Sequence, residues 1–188
     1  LNQIASGPLS DSNLAMLKSA LNGNVSLLVS RAAQIAGSRK IQDLIPDMIS
    51  AFQRFLEDGA KTDKQCNAKT AIVNALNDME YSGDEVYLSG SKYIQMEPAF
   101  GGQVDTAVQI RCNCANALAR IQHINVYYIL SDLLVDPEVA VRAAAAKALA
   151  YLGTPESELL LRFRVLTKDK ELDVVSECFA GLITMAPK

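Results

Sequence analysis

The 188-residue sequence has no tryptophan and one histidine. Basic charge is not in excess, because there are 18 lysines and arginines and 21 aspartates and glutamates. The net charge of −3 argues against general nucleic-acid binding, which usually needs a basic face, and the missing tryptophan weighs the same way. No apolar run reaches the roughly 18 residues that cross a bilayer, so we expect no membrane span. The length is sufficient for one domain with a sizeable core.

Cysteine and histidine do not occur at the spacing of a metal centre, since there is one histidine and no second cysteine pair. Cys112 and Cys114 stand two residues apart, a spacing that points them in different directions on a helix. A zinc site usually needs four ligands, and His123 is the single histidine, expected in a short connector with an ordinary surface role. We therefore predict no metal, no cofactor, structural cysteines (Cys66 and Cys178 included) and a reducing, cytoplasmic location.

The clearest local signal is the stretch 136–153. Asp136 is predicted to cap a helix, Pro137 to occupy its first position, and Gly153 to end it in a left-handed conformation. One face of this helix is apolar at the spacing i, i+4, i+7, i+8, i+11. That face consists of Val141, Ala145, Ala148, Leu149 and Leu152.

Four further copies of this stretch occur in the chain, and whole columns agree between them. The anchor residues of the five copies are Gly23, Asp63, Asp105, Asp136 and Asp169. An apolar column reads Ala36, Leu76, Leu118, Leu149, Leu182. A mostly polar column reads Gln34, Asn74, Asn116, Lys147, Ala180. Two helices in each repeat of this length predict a helical solenoid, in which stacking makes one continuous core.

The pattern Asp-Pro-x-x-x-Val-Arg-x-x-Ala-Ala-x-Ala-Leu-x-x-Leu-Gly at 136–153 resembles the HEAT repeat, in particular the short bacterial type also found in phycobilisome lyase-like proteins. The resemblance implies an all-α fold, a right-handed α-α superhelix of about five helical hairpins with one irregular. Residues 1–188 then form a single domain with the second helix of each pair on the concave side. Copies one and five depart from the pattern; in copy five, Val175 replaces Arg142.

Acidic and basic residues recur six positions apart, as Asp105 with Arg111 and Asp136 with Arg142. In HEAT repeats such side chains commonly link neighbouring repeats, so the resemblance implies a structural ladder. Substrate binding is the alternative role for these four residues.

The repeat pattern fails at about 80–104, where four glycines and one proline exclude a long helix and leave at most a short one near 84–88. One hypothesis is a ligand- or partner-contacting loop. Its contact residues would be Tyr87, Tyr93, Gln95, Met96, Glu97 and Phe100. The other hypothesis is that the aromatic side chains fill the space of the missing helix. Both hypotheses hold if Ile94 and Phe100 pack inward and Tyr93 and Glu97 face outward.

The predicted concave face is rich in asparagine, which is a poor residue for helix interiors. It comprises Lys69, Asn74, Asn77, Asn113, Asn116, Arg120, Lys147 and Tyr151. A groove that donates and accepts hydrogen bonds is one reason to keep such residues, and solubility is the other.

These patterns favour a non-enzymatic protein-binding scaffold or adaptor that holds a protein or peptide on the concave face near the irregular loop. An alternative, suggested by analogy alone, is a bilin lyase-like enzyme or enzyme subunit with a chromophore-sized pocket beside the loop aromatics. Nucleic-acid binding is a third. The last helix offers more apolar residues than one face needs, so either further repeats follow or the C-terminal end pairs with another chain, as in a homo-oligomer. Those residues are Phe179, Leu182, Ile183 and Met185.

Overall fold

A computed structural model describes residues 10–186 as eleven α-helices and one two-stranded antiparallel hairpin. The helices are α1 Asp11–Leu21, α2 Ser26–Ser38, α3 Ile45–Leu56, α4 Gly59–Thr62, α5 Asn67–Asp78, α6 Glu85–Ser91, α7 Val108–Arg120, α8 Val126–Leu133, α9 Val139–Leu152, α10 Pro155–Leu166 and α11 Leu172–Met185. The strands are β1 Met96–Ala99 and β2 Gly102–Asp105. The predicted all-α class is confirmed. Across 10–186, every helix is too short or too polar to cross a membrane.

The described residues divide into two compact units, and the single-domain prediction stays a prediction. Unit 1 comprises residues 10–86 and 94–110, and unit 2 comprises 87–93 and 111–186. Residues 1–9 and 187–188 of the predicted domain lie outside the described part of the chain.

The core of unit 1 is built where α2 packs against α5. A Cβ added at Gly37 would lie 2.7 Å from the Cα of Ala75, so the two backbones approach as closely as they do because residue 37 has no side chain. The sequence predicted that Gly37 ends the helix, which is wrong, because α2 continues to Ser38. A glycine inside a tight helix contact and a terminating glycine give the same sequence signal.

Two helix starts in unit 1 follow from local chemistry. The Ser10 hydroxyl accepts from the backbone N–H of Asn13 at 3.2 Å and caps α1. Pro46 lies in the first turn of α3, directly after a 3-10 turn at Gln42–Leu44, so it marks the start of that helix and not a kink within it.

Unit 2 depends on small residues at the contact between α9 and α11. A Cβ added at Gly181 would lie 2.8 Å from the Cβ of Ala150, so bulkier residues would separate these helices. Gly153 ends α9 with a φ of 63°, as predicted. The predicted start is wrong: α9 begins at Val139, because the Asp136 carboxylate accepts from the N–H of Glu138 at 2.8 Å in a turn before the helix.

The irregular segment folds into the short helix α6 and the β1–β2 hairpin, in which Glu97 faces Val104 and Ala99 faces Gly102. The tip is formed by Gly101 and Gly102, whose φ values of 88° and 152° are disfavoured for residues with a side chain. The hairpin was not expected from the sequence, because each strand is only four residues long and so shows no clear alternation of apolar and polar residues.

Candidate binding grooves

Unit 1 contains a groove of about 290 Å³ that we call the amide groove. It is lined by Ser30, Gln34, Gln65, Asn67, Thr70, Ala71, Asn74, Thr106 and Gln109. Five of these nine side chains are primary amides, and none of the nine is charged. Each amide both donates and accepts hydrogen bonds, so the lining suits a neutral ligand with donors and acceptors in alternation.

Helical spacing places most of the lining on one side of two packed helices. Ser30 and Gln34 are four residues apart on α2, and Asn67, Thr70 and Asn74 follow at intervals of three and four on α5. The structure therefore brings together Gln34 and Asn74, the first two members of the predicted polar column.

Sequence reasoning missed the contributions of Gln65, Thr106 and Gln109 to this groove. These residues lie outside α2 and α5, and neither of the two repeat columns described above contains them. Asn67, Thr70 and Asn74 are polar residues at helical spacing, and this pattern in the sequence could have predicted that Asn67 and Thr70 line the groove together with Asn74.

A buried carboxylate lies behind the groove wall. Oε1 of Glu97 accepts from the backbone N–H of Gln65 at 2.6 Å, from Nε2 of Gln95 at 2.6 Å and from the Thr106 hydroxyl at 2.7 Å. Burial alone would raise the pKa of Glu97, but these hydrogen bonds stabilise the ionised form and lower the pKa overall. Two of the three donors belong to residues that also line the groove, so Glu97 holds the backbone of Gln65 and the hydroxyl of Thr106.

The hairpin base is held by a second set of hydrogen bonds. The Asp105 carboxylate accepts from the backbone N–H groups of Gln95 and Ala107 at 3.1 Å and 2.9 Å. Nε2 of Gln95 also donates to the backbone oxygen of Asp63 at 2.9 Å. The hairpin is thus attached to the segment that leads into α5.

That segment contains a fully buried ion pair. Nζ of Lys69 lies 3.0 Å from Oδ2 of Asp63, with both side chains at 0% exposure, and donates to the backbone oxygen of Phe55 at 3.1 Å. The Asp63 carboxylate accepts from the N–H groups of Ala68 and Lys69 at 2.9 Å and 3.0 Å. Lys69 was predicted to lie on the concave face. This prediction is wrong, because the Lys69 side chain is buried and its ammonium pairs with Asp63 within the same repeat.

Gln65 and Cys66, between Asp63 and α5, both have left-handed backbone conformations, with φ of 58° and 54°. Such conformations are costly for residues with side chains and persist where surrounding contacts hold them. Here the Gln65 N–H is held by Glu97, and the Cys66 sulfur lies 3.5 Å from the Thr106 hydroxyl. Burial raises the pKa of the Cys66 thiol, which therefore stays protonated and weakly nucleophilic.

Unit 2 has its own groove of about 360 Å³, which we call the cationic groove. It is lined by Asn116, Ala119, Arg120, Lys147, Ala148 and Tyr151. Asn116, Arg120 and Tyr151, three of the predicted binding residues, meet here; Asn113 is half-buried on the same helix as Asn116. Nζ of Lys147 lies 3.1 Å from Oε1 of Glu177, so part of the positive charge is already balanced.

Arginine–aspartate pairs connect successive repeats of unit 2. Nε and Nη2 of Arg111 donate to Asp136 at 2.9 Å and 3.1 Å, and the same atoms of Arg142 donate to Asp169 at 2.8 Å and 3.1 Å. Arg164 also contacts Asp169. Hydrogen bonds from Arg142 above all, then those from Glu171 N–H and Arg164, outweigh burial and lower the pKa of Asp169. Asp169, the equivalent of Asp136, was not among the predicted ladder residues.

The predicted loop-contact residues divide into two groups. Tyr87, Gln95 and Glu97 are buried, whereas Met96 and Phe100 are exposed, Phe100 completely. The orientation expected from the sequence is wrong for three residues, since Ile94 and Phe100 face solvent and Glu97 faces the interior. The reason is that the segment folds as a hairpin anchored by its polar side chains. Tyr93 is half-buried, and its backbone oxygen accepts from Arg111 at 2.9 Å.

The cysteines of the described chain are unpaired by disulfides and buried. His123 lies in the connector between α7 and α8, where its Nδ1 accepts from the N–H of Asn125 at 3.1 Å. Within residues 10–186, no three His, Cys, Asp or Glu side chains are grouped so that they would hold a metal ion.

Comparison with known families identifies one repeat directly. Residues 141–163, which cover most of α9 and the first part of α10, match the family model described as PBS lyase HEAT-like repeat. A comparison with curated proteins finds no match. The matched segment confirms the predicted resemblance to the HEAT repeat for residues 141–163, and the helical content of the described residues agrees with the all-α class that this resemblance implies.

Proposed function

We propose that this chain is a non-enzymatic protein-binding scaffold whose amide groove holds an extended segment of a partner protein. The observation that carries the proposal is the clustering of five amide side chains in one uncharged groove. An extended main chain presents one donor and one acceptor per residue, which is the pattern that such amides match.

The rigid support behind the groove strengthens this proposal. The buried Glu97 carboxylate holds the Thr106 hydroxyl and the backbone of Gln65, so this part of the groove wall is positioned before a ligand arrives. A groove whose polar groups are already held in place loses less conformational entropy on binding. The uncharged lining and the net charge of −3 both favour a peptide over a polyphosphate ligand.

The test is a selection of linear peptides from a random displayed library, followed by fluorescence-polarisation titration of the enriched sequences. The variant Gln34→Ala/Asn74→Ala removes two groove amides, and Gln53→Ala, an exposed amide on α3 outside the groove lining, is the matched control. We expect the double variant to bind about tenfold more weakly or worse, because two side-chain hydrogen bonds contribute roughly 1–3 kcal/mol. The control should stay within about twofold of the wild type.

The proposal is contradicted if no peptide is enriched, or if the double variant, shown to be folded by circular dichroism, binds as tightly as the wild type. Parallel titrations with a linear tetrapyrrole and with single-stranded DNA address the lyase-like and nucleic-acid alternatives. A change in tetrapyrrole absorbance, or DNA binding at moderate salt, would favour those functions instead.

A further inference from the structure

The cationic groove of unit 2 differs in charge from the amide groove of unit 1, although both use the same repeat position. A shift of 31 residues, which relates α7 to α9, places Asn116 on Lys147. The same column supplies Gln34 and Asn74 to the amide groove. A position that is neutral on both lining helices of unit 1 is therefore charged in unit 2, and we expect the two grooves to suit different ligands.

The cationic groove combines an apolar floor with polar edges. Ala119 of α7 and Ala148 of α9 are 0% and 1% exposed, and their short side chains leave room for an apolar group of a ligand. Lys147 and Tyr151 are exposed, and Arg120 is half-buried. Each helix thus contributes one cation, and none of the six lining residues is acidic.

One acidic residue beside the groove balances part of this charge. Oε1 of Glu177, on α11, lies 3.1 Å from Nζ of Lys147. An exposed ion pair of this kind contributes little to stability, so a carboxylate of a ligand can replace Glu177 at small cost. Two cations with one acidic neighbour suit a singly charged carboxylate better than a polyphosphate.

The open shape of the groove favours a polypeptide segment over a small molecule. Pockets for small molecules usually enclose about 70–90% of the ligand surface. Here three of the four polar lining residues are exposed, so a ligand is covered on one side only. An extended peptide suits such a groove, because its successive side chains point in opposite directions and one of them can face the floor.

We propose that the cationic groove binds a segment of a partner protein in which a glutamate or aspartate stands beside an apolar residue. The apolar side chain contacts Ala119 and Ala148, and the acidic side chain accepts hydrogen bonds from Arg120 and Lys147 at the groove edges. This is a second binding site, in unit 2, and it does not depend on what the amide groove binds.

The test uses a short fluorescein-labelled peptide of alternating glutamate and leucine, titrated by fluorescence polarisation. We expect a Kd between about 10 μM and 1 mM, as for other small and reversible contacts. The same peptide with glutamine in place of glutamate should bind at least about tenfold more weakly. Raising the salt concentration from about 50 to 300 mM should weaken the glutamate peptide and leave the glutamine peptide unaffected.

Two substitutions in the same groove should change the affinity in opposite directions. Arg120→Gln/Lys147→Gln should weaken the glutamate peptide about tenfold or more, because both cations are lost. Glu177→Gln should strengthen it about twofold or more, because the competing carboxylate is removed. The exposed pair of Arg162 with Glu158 on α10 supplies matched controls, and Arg162→Gln and Glu158→Gln should stay within about twofold of the wild type.

A structural role of the Lys147–Glu177 pair would instead weaken binding in both groove variants, so weakening by Glu177→Gln overturns the proposal. It is also overturned if the glutamine peptide binds equally well, or if Arg120→Gln/Lys147→Gln, folded by circular dichroism, keeps the wild-type affinity. Tighter binding of inorganic pyrophosphate than of the peptide would indicate a phosphate site and would contradict it as well.

The amide-groove variant separates this proposal from the proposed function. Gln34→Ala/Asn74→Ala should bind the glutamate peptide like the wild type, and a loss of binding would place that peptide in the amide groove and overturn the assignment. An uncharged peptide selected on the amide groove should in turn be unaffected by Arg120→Gln/Lys147→Gln. Either site can therefore fail while the other stands.

Discussion

The two units use the same sequence spacing for different purposes. In unit 1, Asp63 and Lys69 are six residues apart and pair with each other at 3.0 Å, inside one repeat. In unit 2, Asp136 and Arg142 have the same separation, but Arg142 reaches Asp169 in the following repeat at 2.8 Å and 3.1 Å.

The difference follows from the geometry of the two cations. The lysine ammonium is a compact charge, and in unit 1 it is satisfied by Asp63 and the oxygen of Phe55. The planar guanidinium of Arg142 presents several donors at once. Its Nη1 donates to the backbone oxygens of Asp136 and Pro137, and its Nε and Nη2 donate to the Asp169 carboxylate. Lys69 thus forms an ion pair within one repeat, whereas Arg142 connects one repeat to the next.

Breaking the buried pair of unit 1 should have the largest effect. Asp63→Asn leaves the Lys69 ammonium buried without a counter-charge, so we expect the free energy of unfolding to fall by about 3–5 kcal/mol. Urea denaturation followed by circular dichroism measures this loss. The control Asp58→Asn breaks the exposed pair with Lys61 and should cost less than about 0.5 kcal/mol. A loss below about 1 kcal/mol for Asp63→Asn would show that the buried pair is not essential.

Converting the arginine of unit 2 to the lysine of unit 1 should have an intermediate effect. Arg142→Lys keeps the charge but loses the two-point contact with Asp169, and we expect a loss of about 1.5–3 kcal/mol in urea denaturation. Arg162→Lys, in an exposed pair with Glu158, is the control and should change stability by less than about 0.5 kcal/mol. Equal stabilities of the two variants would contradict the distinction between lysine and arginine.

The Glu97 network of unit 1 should make stability depend on acid. Because the folded-state pKa of Glu97 is below its ordinary value of 4.5, its contribution is present above that pH and is lost as the pH falls through the folded pKa. Glu97→Gln should therefore lower the free energy of unfolding by about 1–3 kcal/mol at pH 7. The gap between wild type and variant should narrow on acidification to pH 3. A gap that is unchanged between these pH values would argue against ionised Glu97 in the folded state.

The exposed ion pair of unit 2 should have the smallest effect. The Lys147 side chain is 60% exposed, so Glu177→Gln should alter the free energy of unfolding by less than about 0.5 kcal/mol. A change as large as that of Arg142→Lys would mean that exposed and buried ion pairs between repeats contribute equally to the free energy of unfolding. That result would contradict the expected difference between them.

The helical framework was predictable because each helix buries one stripe at the 3.6-residue period. The apolar column through Leu76, Leu118 and Leu149 identified the repeats, and all three side chains are buried. Helix ends were less predictable: Gly153 ends α9, but Gly37 lies inside α2. The role of each glycine depends on which helix packs against it, and the local sequence does not contain that information.

The groove was only partly predictable. Gln34 and Asn74 belong to a repeat column, so their common location followed from the repeats. Gln65 and Thr106 are placed by the left-handed backbone at 65–66 and by the buried Glu97, which are tertiary effects. The hairpin depends on the same contacts, and its short strands gave no signal of their own.

The most direct test of the account is a two-dimensional ¹H–¹⁵N NMR titration of the wild-type chain with a selected peptide, read at the side-chain amide resonances. Binding in the amide groove predicts the largest shifts at Gln34, Asn74 and Gln109, with the exposed amide of Gln53 on α3 unchanged. Shifts confined to Asn116 and its neighbours in the cationic groove, or spread evenly over all exposed amides, would contradict the claim that the amide groove of unit 1 is the recognition site.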